Sequence, residues 1–171
     1  CCICDEDPGF ISDKIIITSD SLTTLQALAK KHREQFNIPF IAIVGAVGKT
    51  TTKELISSIL QGKYPGAVAK TEGSQNGFLG IPLTLLSIAP QTKIAVIEIG
   101  IDDIGAMAQH LTLVEPTHVI LTAIGPEHLH QLKTVDIAAE EELKALDHAL
   151  TFRLPIALNL NDEYVRKWMD K

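Results

Sequence analysis

The chain has 171 residues, 46% of them hydrophobic and 21% charged, with a formal net charge of -6. That length fits one domain with an appendage and buries roughly 70% of the surface its unfolded chain exposes, so no disulfide staples are required. The acidic balance argues against nucleic acid as the main partner, because phosphate backbones attract basic surfaces.

Three cysteines, Cys1, Cys2 and Cys4, crowd the start of the chain. A metal cluster is one reading, but no second Cys or His pair stands at zinc-site spacing. A short buried strand is the simpler expectation, since free Cys behaves as a small hydrophobe. Clustered, odd-numbered cysteines also favour a reducing compartment. There is no signal peptide and no apolar run long enough to cross a membrane, so the expectation is a cytoplasmic protein without membrane insertion. An opening Cys in place of Met suggests a piece of a longer chain.

Ile15-Ile16-Ile17 reads as a strand. Residues 21–36 read as a helix with Ser21 as N-cap and Leu22, Leu25 and Leu28 on one face. From residue 40 onward short apolar strands (40–44, 67–70, 94–99, 118–123 and 156–160) alternate with helices (49–60, 81–87, 104–113, 135–150 and 163–169). This alternation predicts an α/β fold, a mostly parallel sheet with helices on both faces. In the helix from residue 49, Leu55, Ile56, Ile59 and Leu60 form the stripe expected to dock on the sheet.

Between the first of these strands and its helix lies Gly45-Ala46-Val47-Gly48-Lys49-Thr50-Thr51. In a strand–glycine turn–helix unit, backbone N–H groups and the helix N-terminus cradle phosphate oxygens. Gly45 and Gly48 permit the tight turn. Lys49 brings positive charge to the terminal phosphates, Thr50 is a natural Mg2+ ligand, and Thr51 is next in reach. Two residues separate the glycines where the common motif has four. The alternative is a Gly-rich turn that merely caps a helix; the fully apolar strand before it favours the phosphate loop.

Read as Gly-Ala-Val-Gly-Lys-Thr-Thr-Thr-Lys-Glu, the loop resembles the central domain of the Mur ligases, a P-loop NTPase-like fold. Thr71-Glu72-Gly73-Ser74-Gln75-Asn76-Gly77-Phe78-Leu79-Gly80-Ile81-Pro82 resembles that family's Asn-rich loop, and Ala95-Val96-Ile97-Glu98-Ile99-Gly100 its acidic strand. Ile124-Gly125-Pro126-Glu127-His128-Leu129 resembles its Gly-Pro-x-His-Leu turn, and Asn159-Leu160-Asn161-Asp162 its Asn-x-x-Asp strand end. The Gly-Ile-Pro-Leu-Thr-Leu-Leu stretch points to the branch that adds D-alanyl-D-alanine to UDP-N-acetylmuramoyl-tripeptide. The resemblance implies ATP and Mg2+ as cofactors and a UDP-muramoyl peptide as substrate. Its chemistry is phosphorylation of a carboxylate to an acyl phosphate, then attack by an amine.

The resemblance also implies roles. Glu98, at the end of an apolar strand, would hold Mg2+ where a solvated strand terminus is the alternative. His128 would join it in a second metal site, and Asn76 would lie near phosphate or acyl substrate. With Lys49 these are the candidate catalytic groups. Residues 1–20 then read as the end of an N-terminal substrate domain, 21–37 as a connector helix and 38–171 as the central ATP-binding domain, incomplete at its C-terminus.

Several residues depart from the family pattern. Ser74 and Gly77 stand where the branch usually shows Asn, and Ala46 and Val47 add no polar side chain to the loop. The family's carbamylated lysine has no counterpart in Ala138-Ala139-Glu140-Glu141-Glu142-Leu143-Lys144. If Val135, Ala139, Leu143, Leu146 and Leu150 form the buried stripe, Glu142 lies about 60° from its centre, Glu140 about 100° and Glu141 about 160°. Glu142 is therefore the expected replacement carboxylate at the metal. A solvated acidic face, with Lys144 exposed, is the alternative. Other Mur-type synthetases of folylpolyglutamate or cyanophycin share the short loop, and a non-catalytic Mur-like module is a further reading. The absence of an Asn-Lys-x-Asp guanine reader lowers a GTPase.

Overall fold

A computed structural model of the chain describes residues 2–10, 12–126 and 129–170. Five short strands carry the fold: β3 (Phe40–Val44), β4 (Val68–Lys70), β5 (Ile94–Glu98), β6 (His118–Leu121) and β7 (Ile156–Leu158). They pair in parallel in the order β4-β5-β3-β6-β7. The central strand β3 sets Ala42 beside Ile97 of β5 on one side and Val119 of β6 on the other. A parallel sheet covered on both faces needs apolar residues at successive positions. All five residues of β5 and four of the five in β3 are buried. The remaining pair, β1 (Cys2–Cys4) and β2 (Ile15–Ile17), forms a separate two-stranded parallel sheet.

Each crossover is a helix: α2 (Lys49–Lys63), α3 (Gly80–Leu86), α4 (Ala106–Val114) and α6 (Val135–Thr151), with α1 (Ser21–Arg33) before them. Right-handed crossovers put α2, which leads leftward from β3 to β4, on one face. The same rule sends α3, α4 and α6, which all lead rightward, to the other, where α1, α3, α4 and α6 pack on one another. Two short helices complete the chain, α5 (Leu129–Leu132) and α7 (Glu163–Met169). Four residues are too few for a helical period, so α5 has no signature in the sequence. Among the described residues no helix is long and apolar enough to cross a membrane.

Five sequence expectations need correction. The Cys strand exists, but Cys2 is exposed and Cys4 half-buried, with their sulfurs 3.4 Å apart. It belongs to the small outer sheet and not to the core. Asp20, not Ser21, caps α1, its Oδ1 accepting from Thr23 N at 2.7 Å. Leu22 and Leu28 of α1 are exposed; Ala29 and Arg33 face inward. The helix docks by cations on the open carbonyls at the end of α4. Arg33 donates to Val114 O and Glu115 O, both at 2.7 Å, and Lys30 to Thr112 O at 2.6 Å. Those carbonyls have no intrahelical donor, and the helix dipole favours positive charge there.

On α2 the expected stripe is mispositioned: Leu55 and Ile59 are 61% and 75% exposed. The inward face carries Lys49, Lys53 and Ser57 at four-residue spacing, because the helix starts in the polar site. On α6 the buried stripe runs through Ala138, Glu142, Ala145 and Ala149, with Leu150 exposed. Ala139 and Leu146 of the expected stripe are buried as well, but small residues let this helix approach α4 closely, so the buried face is centred on the alanines and leaves Leu150 outside.

Candidate active site

The sheet's central strand ends at Val44, and the phosphate loop leaves it between β5 and β6. Gly45 has φ 114°, and a Cβ there would lie 2.5 Å from Thr122 Oγ1 and 2.9 Å from Ala123 O. Only glycine fits the strand's exit. The next two amides, of Ala46 and Val47, both donate to Ala123 O, at 2.7 and 3.3 Å. The loop is thereby pinned to the end of β6. Gly48, at φ 89°, opens α2 without any capping side chain. The first bond closing the helix runs from Thr52 N to Gly48 O at 2.9 Å, so the N–H groups of Lys49, Thr50 and Thr51 precede the helical ladder and face its open end.

A cavity of about 410 Å³ covers that end. Ala46, Gly48, Lys49, Thr50 and Thr51 form one wall; Ser74, Asn76, Glu98 and Asp102 form the other. Lys49 is buried and folds back to donate to Gly45 O at 2.5 Å. Val47 is exposed at the loop's tip and, like Gly45, does not line the cavity.

Glu98 is not a solvated strand end. It is 1% exposed, and its Oε1 accepts from Thr50 Oγ1 at 3.1 Å and Asn76 Nδ2 at 2.7 Å. Asn76 reaches it by crossing Gly100, where a Cβ would sit 2.9 Å from the Asn76 carboxamide oxygen. The backbone N–H of Glu98 donates to Thr71 Oγ1 at 2.9 Å, tying both ends of the Asn-rich loop to β5.

Glu142 does not lie on a solvated acidic face either. It is 1% exposed, and its Oε2 accepts from Gly45 N at 2.7 Å, which brings it to the root of the phosphate loop. Glu141, placed farthest from the core by the sequence phase, is buried as well. Its Oε1 accepts from Gly105 N at 3.0 Å and Met107 N at 3.1 Å, capping α4 from outside, and its other oxygen pairs with Lys144. His128 lies outside the described residues. The turn leading to it has Gly125 against Ala46 and Val47, and Ile124 N donates to Asp162 Oδ2 at 2.7 Å.

A family model for the Mur ligase middle domain matches residues 43–171. This chain belongs to the Mur ligase middle domain family. It is 35% identical over 133 residues to the UDP-N-acetylmuramoyl-tripeptide–D-alanyl-D-alanine ligase of Bacillus subtilis, covering 78% of this chain and 29% of that protein. A Borreliella burgdorferi ligase of the same name is 37% identical over 131 residues. Among solved structures, MurF from Acinetobacter baumannii superposes with a TM-score of 0.81 at 26% identity, over 95% of this chain and 35% of that one. MurF ligase from Thermotoga maritima in complex with ADP gives 0.79 at 26% identity, over 96% and 38%. The chain thus spans about a third of the length of the relatives it matches.

In this Mur middle domain, the described residues include no cluster of three or more His, Cys, Asp or Glu arranged for a metal ion. What converges on the cavity is a smaller set of hard oxygen donors, Thr50 Oγ1 and Glu98 Oε1, with Asp102 on the same wall. That set suits Mg2+, which keeps several waters and takes one or two protein ligands together with phosphate oxygens. Sequence reasoning missed Lys53, Glu141, Asp102 and Asp162. Phasing α2 on Lys49 in place of its leucines would have placed Lys53 on the inner face. Glu141 carries no such signal, since its partners are backbone amides of another helix.

Proposed function

We propose that this chain is the ATP-binding middle unit of a cytoplasmic ligase that joins D-alanyl-D-alanine to a UDP-N-acetylmuramoyl peptide in peptidoglycan precursor synthesis. The observation that carries the reading is the meeting of the phosphate loop with the Glu98–Asn76 wall across one cavity. The names of the relatives, and the ADP bound to the Thermotoga maritima neighbour, support the substrate assignment.

In this reading the N–H groups of Lys49, Thr50 and Thr51 bind the phosphates, and the Lys49 ammonium turns from Gly45 O to the terminal phosphate. Thr50 and Glu98 would hold a first Mg2+, and Glu98, His128 and Glu142 would hold a second, the native Glu142 carboxylate standing in for a carbamylated lysine. Bound Mg2+ supplies charge neutralisation for the transferring phosphoryl group. Asn76 orients Glu98 and faces the incoming carboxylate. An unactivated carboxylate is a poor electrophile, so the acyl phosphate makes the amide accessible, and positioning of the two reactants dominates the rate. Regions supplied by the rest of a full-length ligase present the UDP-sugar and the amine.

Calorimetric titration with Mg2+ and a non-hydrolysable ATP analogue tests the site. The parent binds, and Lys49→Ala weakens binding by about 100-fold, the loss of a charge-assisted contact of about 2–3 kcal/mol. Equal affinities in parent and variant would remove the phosphate-loop assignment.

A further inference from the structure

Lys53 stands one turn beyond Lys49 on the inner face of α2, and its side chain is fully buried. It does not line the phosphate cavity. Its ammonium donates to Gly73 O at 2.5 Å and lies 3.5 Å from Glu98 Oε2 and 3.3 Å from Glu54 Oε1. A buried ammonium is tolerated only when such partners surround it, so its position is strongly determined.

The Glu98 carboxylate is divided by this contact. Oε2 is buried, makes no hydrogen bond among the described residues, and faces Lys53. Oε1 is left facing Thr50 and Asn76 at the cavity wall. Through Gly73 O the same ammonium also holds the Asn-rich loop three residues before Asn76. One cation behind the wall therefore orients two of the wall's polar groups, Glu98 and Asn76.

We infer that Lys53 is a positioning residue that presents a single oxygen of Glu98, together with Asn76, to the cation of a bound metal–nucleotide complex. The inference rests on the nucleotide-binding reading above. Its effect falls on the part of the nucleotide affinity that depends on the divalent cation. The phosphate contacts of the loop and Lys49 lie on the other wall and stay intact. Partners that orient metal ligands from behind are worth about 10–100-fold in metal affinity.

The test compares ADP affinity in Mg2+ and in EDTA, by calorimetry on the intact protein, with thermal melting as a check on folding. In Lys53→Met the Mg2+-dependent gain falls at least tenfold while affinity in EDTA stays within about threefold of the parent. Lys53→Arg, which keeps the charge and two donors, retains the gain within about threefold. Glu54→Gln, at the exposed partner, also retains it. An undiminished gain in Lys53→Met overturns the inference. So does a loss in folded Lys53→Arg, or a loss in Glu54→Gln as large as in Lys53→Met. Should Lys53→Met fail to fold, the Arg and Glu54 arms decide alone. A parent that shows no Mg2+-dependent gain overturns the nucleotide reading itself, and this inference with it.

Discussion

Glu142 carries a structural bond and, in the proposed reading, a chemical role as well. Its Oε2 receives the Gly45 N–H, the amide that begins the phosphate loop. A glutamine keeps an oxygen for that bond but loses the charge. Glu142→Gln therefore changes the unfolding free energy from urea titration by less than about 1 kcal/mol, while Mg2+ affinity in the presence of nucleotide falls about tenfold. A variant with unaltered Mg2+ dependence would confine Glu142 to holding the loop. This residue was legible in the sequence by its helical position, although the stripe used to place it was right only in part, at Ala139 and Leu146. The true stripe of Ala138, Ala145 and Ala149 passes through Glu142, whereas a phase built on leucines put it at the edge. Lys53 was illegible for a related reason: a lysine inside a helix reads as solvated until its buried partners, Gly73 O and Glu98, are brought from other segments.

For the elements, the order of strands and helices over residues 40–169 was readable except for the four-residue α5, with edges within a few residues, because buried strands leave unbroken apolar runs. The orientation of helices was not. α1 looked like a leucine-faced connector, yet it is fixed by Arg33, whose guanidinium donates to three carbonyls and lies 3.7 Å from the centre of the Phe40 ring. Arg33→Met keeps much of the volume and removes the donors. It costs about 2–4 kcal/mol by leaving the carbonyls of Val114 and Glu115 without their donor. Hydrogen exchange should then accelerate in α1 while β3 and β5 stay protected. Uniform acceleration across the sheet would show that α1 is part of the core's cooperative unit and not a docked element.

Across the whole molecule, stability depends on pH through His110. The ring is buried against Phe78, and burial lowers its pKa from 6.5 to about 4, with Asp102 and Glu141 acting in the opposite direction. Its Nε2 has no hydrogen-bond partner among the described residues. Below pH 6.5 the unfolded chain takes up a proton at His110 that the folded chain refuses until about pH 4. Stability from this group is therefore complete above pH 6.5 and is lost as pH falls toward 4, by roughly 2 kcal/mol at pH 5. In His110→Leu the fall in stability between pH 7 and pH 5 should be smaller by that amount. An equal fall in parent and variant would exclude His110 as the source.

The pinning of the phosphate loop also has a consequence for how the protein is made. Gly45 waits for a carboxylate 97 residues downstream, and Ala46 and Val47 for the carbonyl of Ala123. During synthesis the loop leaves the ribosome long before either partner exists. Closing such long segments is slow compared with forming the flanking helix. The nascent chain thus carries a phosphate-loop sequence with no defined loop geometry. In the nucleotide-binding reading, ligand capture therefore requires that α6 has emerged and seated Glu142, so it reports the docking of α6 and not the presence of the motif.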